Sequence, residues 1–331
     1  MALAAPRIPE TRAWPKAELH CHLDGSVRPE SLATLRRERR LPKAPTPAPG
    51  GGSLEAYLAA FPPVIEALQD AEALERVAAE LAEDARLDGI WWLEVRFAPL
   101  LHTRLGLTPR QATEAVLRGL RRVPLELGVG VISCALRDHG LEEAWQTVRV
   151  AAELQARGVV GVDLAGPEAS FPPAPFAAPF AWAQDAGLGV TLHAGEAAGP
   201  ASIRDALEAC GATRIGHGVT LEADPELLAA VVERGIVLEM CPRSNVETGA
   251  VAALAAHPWR RYLARGVRAT LATDNRAVSR TTLSAELESV EPTLDELAAL
   301  LRNGFEGAFA SPQVRERGVD AVAAHRGRQD G

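Results

Sequence analysis

Lysine is almost missing from this chain of 331 residues: Lys16 and Lys43 are the only two, and every other basic side chain is arginine. That scarcity excludes any centre built on a lysine beyond residue 43. Cysteine is sparse as well. Cys21, Cys134, Cys210 and Cys241 show no CxxC spacing, which argues against a cysteine zinc site and for reduced thiols in a cytoplasmic protein. Positive charge is in deficit, with 35 Lys+Arg against 43 Asp+Glu and a formal net charge of -8. No basic field is present for nucleic acid or an anionic membrane, so a small molecule is the expected partner. No apolar run reaches the roughly 20 residues of a membrane span. The opening stretch MALAAPRIPETRAWPK lacks the apolar core of a signal peptide.

What is present suits a large buried core. Hydrophobic residues make up 47% of the chain, and they fall into eight short strand-like runs: 17–22, 90–97, 129–136, 159–164, 189–193, 213–217, 236–241 and 268–274. Apolar runs without alternation suit strands covered on both faces of a parallel sheet. Amphipathic helical patterns lie between them at 71–87, 109–127, 141–157, 200–209, 225–234 and 250–265. Eight strands alternating with helices predict an α/β protein, a (β/α)8 TIM barrel. No GxGxxG follows the first strand, which disfavours an open doubly wound sheet. One domain over 1–331 is expected, with 1–13 and 325–331 as frayed tails. Extra helices are expected after strand 1 and at the C-terminus, the latter at 293–310 and 312–324. In the insert after strand 1, a Pro/Gly-rich loop at 41–53 precedes a helical stripe of Leu54, Tyr57, Leu58 and Phe61. That helix either covers the barrel mouth or packs on the barrel side.

The unusual polar residues sit at carboxyl ends of the expected strands, where barrels of this type keep their chemistry. His20 and His22 are two apart and share one strand face. His193 ends the fifth strand in TLHAGE, with Glu196 just beyond the bend. His217 ends the sixth, between two glycines, and Asp274 ends the eighth. Imidazoles with a carboxylate form a nitrogen and oxygen site suited to Zn2+, with Fe, Mn or Co compatible by ligand type. Zinc lowers the pKa of bound water from ~15.7 to about 7. The missing lysine matters here, because some barrel hydrolases bridge two metals with a carboxylated lysine. One metal per chain is the better reading.

Six motifs in order, PKAELHCHLDGS, DLAGPE, HAGE, GHG, CPRSNVETGA and TDN, resemble the adenosine deaminase family, from residue 15 to about 275. The resemblance implies a mononuclear zinc aminohydrolase that replaces the purine 6-amino group by oxygen and releases ammonia. Its substrate would be a purine nucleoside. It implies His20, His22, His193 and Asp274 as metal ligands, Glu196 as the acid for purine N1, and His217 as the group positioning the attacking water. It further implies Asp24 on the ribose 5′-hydroxyl, the Gly166 backbone at N3, and Leu54, Leu58 and Phe61 as an apolar gate. Asn275 departs from the Asp-Asp pair of many members; its amide donates to purine N7 at any pH. The alternatives are a deaminase of a related 6-aminopurine (6-amino-6-deoxyfutalosine or adenine), a catalytically silent binding barrel, and a metal-dependent ester or lactone hydrolase. The HxE and PCxxC signature of the cytidine-type deaminases is absent.

Overall fold

In the computed structural model, which describes residues 10–43 and 52–329, the strands are β1 (Lys16–His22), β2 (Ile90–Phe97), β3 (Gly128–Leu136), β4 (Val159–Ala165), β5 (Gly189–Ala194), β6 (Arg214–His217), β7 (Val237–Met240) and β8 (Arg268–Leu271). Each runs parallel to its neighbour in the order β1 to β8. The ring closes just past β8, where Cys21 bridges Asp274. There the Asp274 N–H donates to His20 O at 2.8 Å and the His22 N–H donates to Asp274 O at 2.7 Å. The architecture is the expected (β/α)8 barrel.

The crossover helices form for legible reasons. Helix Ala71–Leu87 buries Leu74, Val77, Ala78, Leu81, Ala82 and Ala85 on one stripe, and Asp70 caps it by accepting from the Ala73 N–H at 2.8 Å. Helix Pro109–Leu120 opens with a Thr108/Gln111 capping box.

Several expectations need correction. The pattern at 250–265 is broken into a 3-10 turn, Leu254–Ala256, and a short helix, Trp259–Ala264, because Pro258 holds His257 extended (ψ 133). The stripe at 54–61 is helical only over Leu54–Leu58, and Phe61 falls at the N-cap of a second helix, Pro62–Ala67. Most of the expected loop at 41–53 lies outside the described residues. Residues 10–13 and 325–327 are not frayed. Thr11 is fully buried and donates to Glu288 at 2.6 Å, and the last helix runs Pro312–Gly327 with the His325 ring tilted against Trp14, their centres 4.5 Å apart.

The barrel interior is charged, which the apolar reading of the strands did not anticipate. Alternate residues point inward and include Glu18, Glu94, Arg96, Asp163, Arg214 and Glu239, all at most 1% exposed. Arg214 pairs with Glu239 at 2.6 Å and with Glu94 at 2.7 Å, and Arg96 pairs with Asp163 at 2.9 Å and Glu239 at 2.6 Å. At the amino end of the barrel, Phe309 closes the ring beneath Arg214, whose guanidinium lies 3.6 Å from the ring centre. Gly161 and Gly189 make room for it: a Cβ on Gly189 would sit 2.4 Å from the Phe309 ring. Gly189→Ala is expected to destabilise the fold by about 1–3 kcal/mol through overpacking. The cost should shrink in a Phe309→Leu background. Equal losses in both backgrounds, measured by chemical denaturation, would contradict this account of the plug.

Candidate active site

The side-chain alternation of β1 brings His20 and His22 to the same side, and the charged interior orients them. His20 Nδ1 lies 2.9 Å from Glu239, leaving Nε2 facing the barrel mouth. His193 does the same from β5, with Nδ1 3.0 Å from Asp163. The two Nε2 atoms are 3.1 Å apart. His22 Nε2 lies 3.2 Å from His193 Nε2 and 3.2 Å from Asp274 Oδ1, which is 3.5 Å from His20 Nε2. Four donor atoms thus form a closed ring with edges of 3.1, 3.2, 3.2 and 3.5 Å. Ligands held tetrahedrally by zinc at its usual bond lengths lie about 3.3–3.4 Å apart, so the donor set fits such an ion. The ring nitrogens carry lone pairs aimed at one another, an arrangement that a central cation relieves.

Asp274 reaches the centre because the chain leaves β8 with Asp274 in the left-handed region, φ +58, and its Oδ2 accepts from Ser244 at 2.5 Å. His217 shares this backbone strain at the end of β6, φ +65. Ligand atoms of His20, His193, His217 and Asp274 lie within 4.8 Å of one another, so His217 competes with His22 for the centre. The tighter contacts of His22 favour it. His217 is engaged elsewhere, with Nδ1 3.0 Å from the Asn245 amide and Nε2 3.5 Å from Glu196.

Electrostatics separate the roles of these groups. Burial drives the His193 pKa down to about 3 despite Asp163, and it lowers that of His217 as well, so both imidazoles are neutral. Burial pushes the Glu196 carboxyl up to about 8, with the charges of Asp274 and Glu168 adding to it. Glu196 accepts from the Thr248 hydroxyl at 3.0 Å and faces the Asn245 amide at 3.5 Å. A protonated carboxyl beside neutral imidazoles is an acid placed next to a metal-type donor set.

A cavity of about 290 Å³ opens above this centre. Its lining includes His22, His193, Glu196, His217 and Asp274, together with Asp24, Gly166, Asn275, Leu54, Leu58 and Phe61. Every residue proposed from the sequence therefore lines it except His20, which lies fully buried behind. Asp24 Oδ1 and Asn275 Oδ1 are buried without a hydrogen-bond partner. The sequence reading missed the residues behind the centre: Asp163, Glu239, Arg96, Ser244, Asn245 and Thr248. The signal for the first three was present, as charged residues in the middle of otherwise apolar strands. Tyr57, Arg104 and Asp138 also line the cavity and were not singled out as site residues.

An eight-stranded parallel barrel with histidines and an aspartate converging at the carboxyl ends of its strands defines a class, the barrel proteins with a candidate metal centre at the mouth. The adenosine deaminase family profile matches residues 15–325. An adenosine deaminase of Enterococcus faecalis is 39% identical over 320 residues, covering 92% of this chain and 95% of that protein. Among solved structures, the Arabidopsis N6-mAMP deaminase superposes with a TM-score of 0.84 at 28% identity, covering 95% of this chain and 99% of that one. An adenine deaminase of Arthrobacter aurescens gives 0.84 at 25% identity, covering 94% and 99%. The chain belongs to the adenosine deaminase family.

Ser244 offers a probe of the centre, since its hydroxyl donates to Asp274. Ser244→Ala should weaken binding of a divalent ion about 10–100-fold, as is usual when a partner behind a ligand is lost. Competition against a chromogenic chelator measures this. Unchanged affinity would remove Asp274 from the centre.

Proposed function

We propose that this chain hydrolyses adenosine and 2′-deoxyadenosine to inosine and 2′-deoxyinosine with release of ammonia. One zinc ion per chain would be held by His20, His22, His193 and Asp274. One observation carries this reading: a single small cavity faces both a nitrogen and oxygen donor ring and a buried carboxyl, Glu196, that keeps its proton near neutral pH. A divalent ion held by that ring supplies Lewis-acid activation of water.

The residues supply the proton transfers. Glu196 gives its proton to purine N1, so electron density displaced from C6 settles on a neutralised nitrogen as oxygen adds there. The Asn245 amide donates to His217 Nδ1, so His217 keeps its proton on Nε2 and orients the attacking water, and the proton lost by that water passes to the departing amino group. The C6–N bond breaks and ammonia leaves. The proton on the new oxygen returns to Glu196, and the product is the 6-oxo purine. One water is consumed and each protein group ends as it began.

The substrate-binding groups that the family resemblance implies line the same cavity. Asp24 accepts from the ribose 5′-hydroxyl, the Gly166 backbone meets N3, and the Asn275 amide meets N7. Leu54, Leu58 and Phe61 form an apolar wall for the base. The unpartnered oxygen of Asp24 supports its assignment to a hydroxyl donor, since buried polar atoms are normally paired. Arg104 favours a second reading, a substrate with a 5′-phosphate, because this cationic residue lines the same cavity. Asp24 and Asp138 line it too, and two carboxylates against one cation favour the neutral nucleoside. No helix among the described residues is long and apolar enough to cross a membrane, and the four cysteines are free and buried. The proposed location is the cytoplasm.

Glu196→Gln keeps the shape of the side chain and removes the proton it donates. Turnover should fall by about 10²–10⁴-fold with metal content unchanged. Near-normal turnover would take Glu196 out of the mechanism, and loss of metal would move it among the ligands. Adenosine should be preferred over AMP and over free adenine. Asp24→Ala should lower kcat/KM for adenosine by the equivalent of about 1.5–3 kcal/mol and leave adenine nearly unaffected. A wild-type preference for AMP or adenine would defeat the nucleoside assignment.

A further inference from the structure

Glu168 makes none of the contacts of the metal centre, yet it is 3% exposed and commits both carboxylate oxygens to one short stretch of backbone. Oε1 accepts from the Gly195 N–H at 2.5 Å. Oε2 accepts from the N–H groups of Glu196, Ala197 and Ala198 at 3.0, 2.7 and 3.1 Å. Four successive amides turned toward one point form an anion-binding concavity, and here the anion is a side chain of the same protein. All four partners are donors. An acceptor-only carboxylate satisfies them, whereas a glutamine would turn an NH2 group toward N–H donors.

The stretch that Glu168 holds is the one that carries the proposed acid. Gly195 sits at φ +71, where a Cβ would meet Ile203 at 2.5 Å, so the turn before Glu196 is tightly specified. Glu168 itself stands two residues after Gly166, φ +103, on the loop following β4 that lines the same cavity. One side chain therefore ties the loop of Glu196 to the loop of Gly166. Under the deamination reading, on which this inference rests, those two loops meet N1 and N3 of one purine ring.

We infer that Glu168 is a positioning residue for the reaction. By holding the amides of residues 195–198 at a set distance from Gly166, it keeps the Glu196 carboxyl in line with the nitrogen it protonates. A displacement of about 1 Å at a reacting group costs on the order of 10²-fold in rate, which sets the scale of the effect.

The test is a double-mutant cycle of wild type, Glu168→Gln, Glu196→Gln and the double variant, with kcat and KM for adenosine, metal content and melting temperature measured for each. Glu168→Gln alone should lower kcat on the order of 10²-fold, with KM changed far less and metal retained. In the Glu196→Gln background the same substitution should cost less than about threefold, because the acid it positions is already disabled. Glu168→Asp, which keeps the charge and withdraws it by one methylene, should fall between wild type and Glu168→Gln. It carries the cycle if Glu168→Gln does not fold. The same fold-loss in both backgrounds, or a loss that follows metal content, overturns the inference. Absence of adenosine turnover in the wild type overturns the deaminase reading instead, so the two failures are distinct.

Discussion

The Arg96 guanidinium lies fully buried between Asp163 and Glu239, and each of those carboxylates reaches on to a histidine at the barrel mouth, Asp163 to His193 and Glu239 to His20. Burial alone would raise both carboxyl pKa values. For Asp163 the opposing effects of His193 and Arg96 win, and for Glu239 those of Arg96 and Arg214 win, so both are held well below the usual range. They are ionised acceptors, and each therefore fixes an Nδ1–H on its histidine and turns Nε2 toward the centre. Removing one member of such a buried cluster typically costs about 3–5 kcal/mol, since it strands the remaining charge.

The charge count explains why a cation suits the site. Within the barrel, Arg96 and Arg214 face Glu94, Asp163 and Glu239, and Asp274 adds a fourth carboxylate at the mouth. Glu18 does not enlarge the excess near neutral pH, because burial raises its pKa to about 8, against the pull of its contacts with His20 and Thr273. Arg137, buried beside His193, is matched by Glu168, so the remaining two guanidiniums against four carboxylates leave a negative surplus beside neutral imidazoles. A divalent ion cancels it.

The fold was largely legible because each barrel strand is a short apolar run ended by turn residues. The candidate ligands were legible because His20 and His22 alternate with Cys21 and the others end the expected strands. The interior charges escaped because Glu94, Arg96, Asp163 and Glu239 sit inside runs such as IWWLEVRF and VLEM, where apolar neighbours dominate the pattern. Asn245 and Thr248 reach Glu196 only through folding, across 49 and 52 residues of sequence. Helix Ala177–Asp185 was not anticipated: its sequence carries apolar residues on all sides, with no one-sided stripe to read. The apolar helical stripe of Leu54, Leu58 and Phe61 was visible as spacing, but its attachment was not. Tyr57 meets the Ser279 hydroxyl at 2.9 Å, and Ser279 donates to Glu247 at 2.6 Å, so the short helix beside the cavity is tied to the segments that follow β7 and β8.

The central claim is that the buried charge cluster shapes one metal centre from His20, His22, His193 and Asp274. Diffraction from crystals of the zinc-loaded protein, recorded on both sides of the zinc absorption edge, tests it directly. The account predicts one anomalous peak per chain, bonded to Nε2 of His20, His22 and His193 and to a carboxylate oxygen of Asp274. A second strong peak in the barrel, or a single peak bonded to His217 in place of His22, would contradict it.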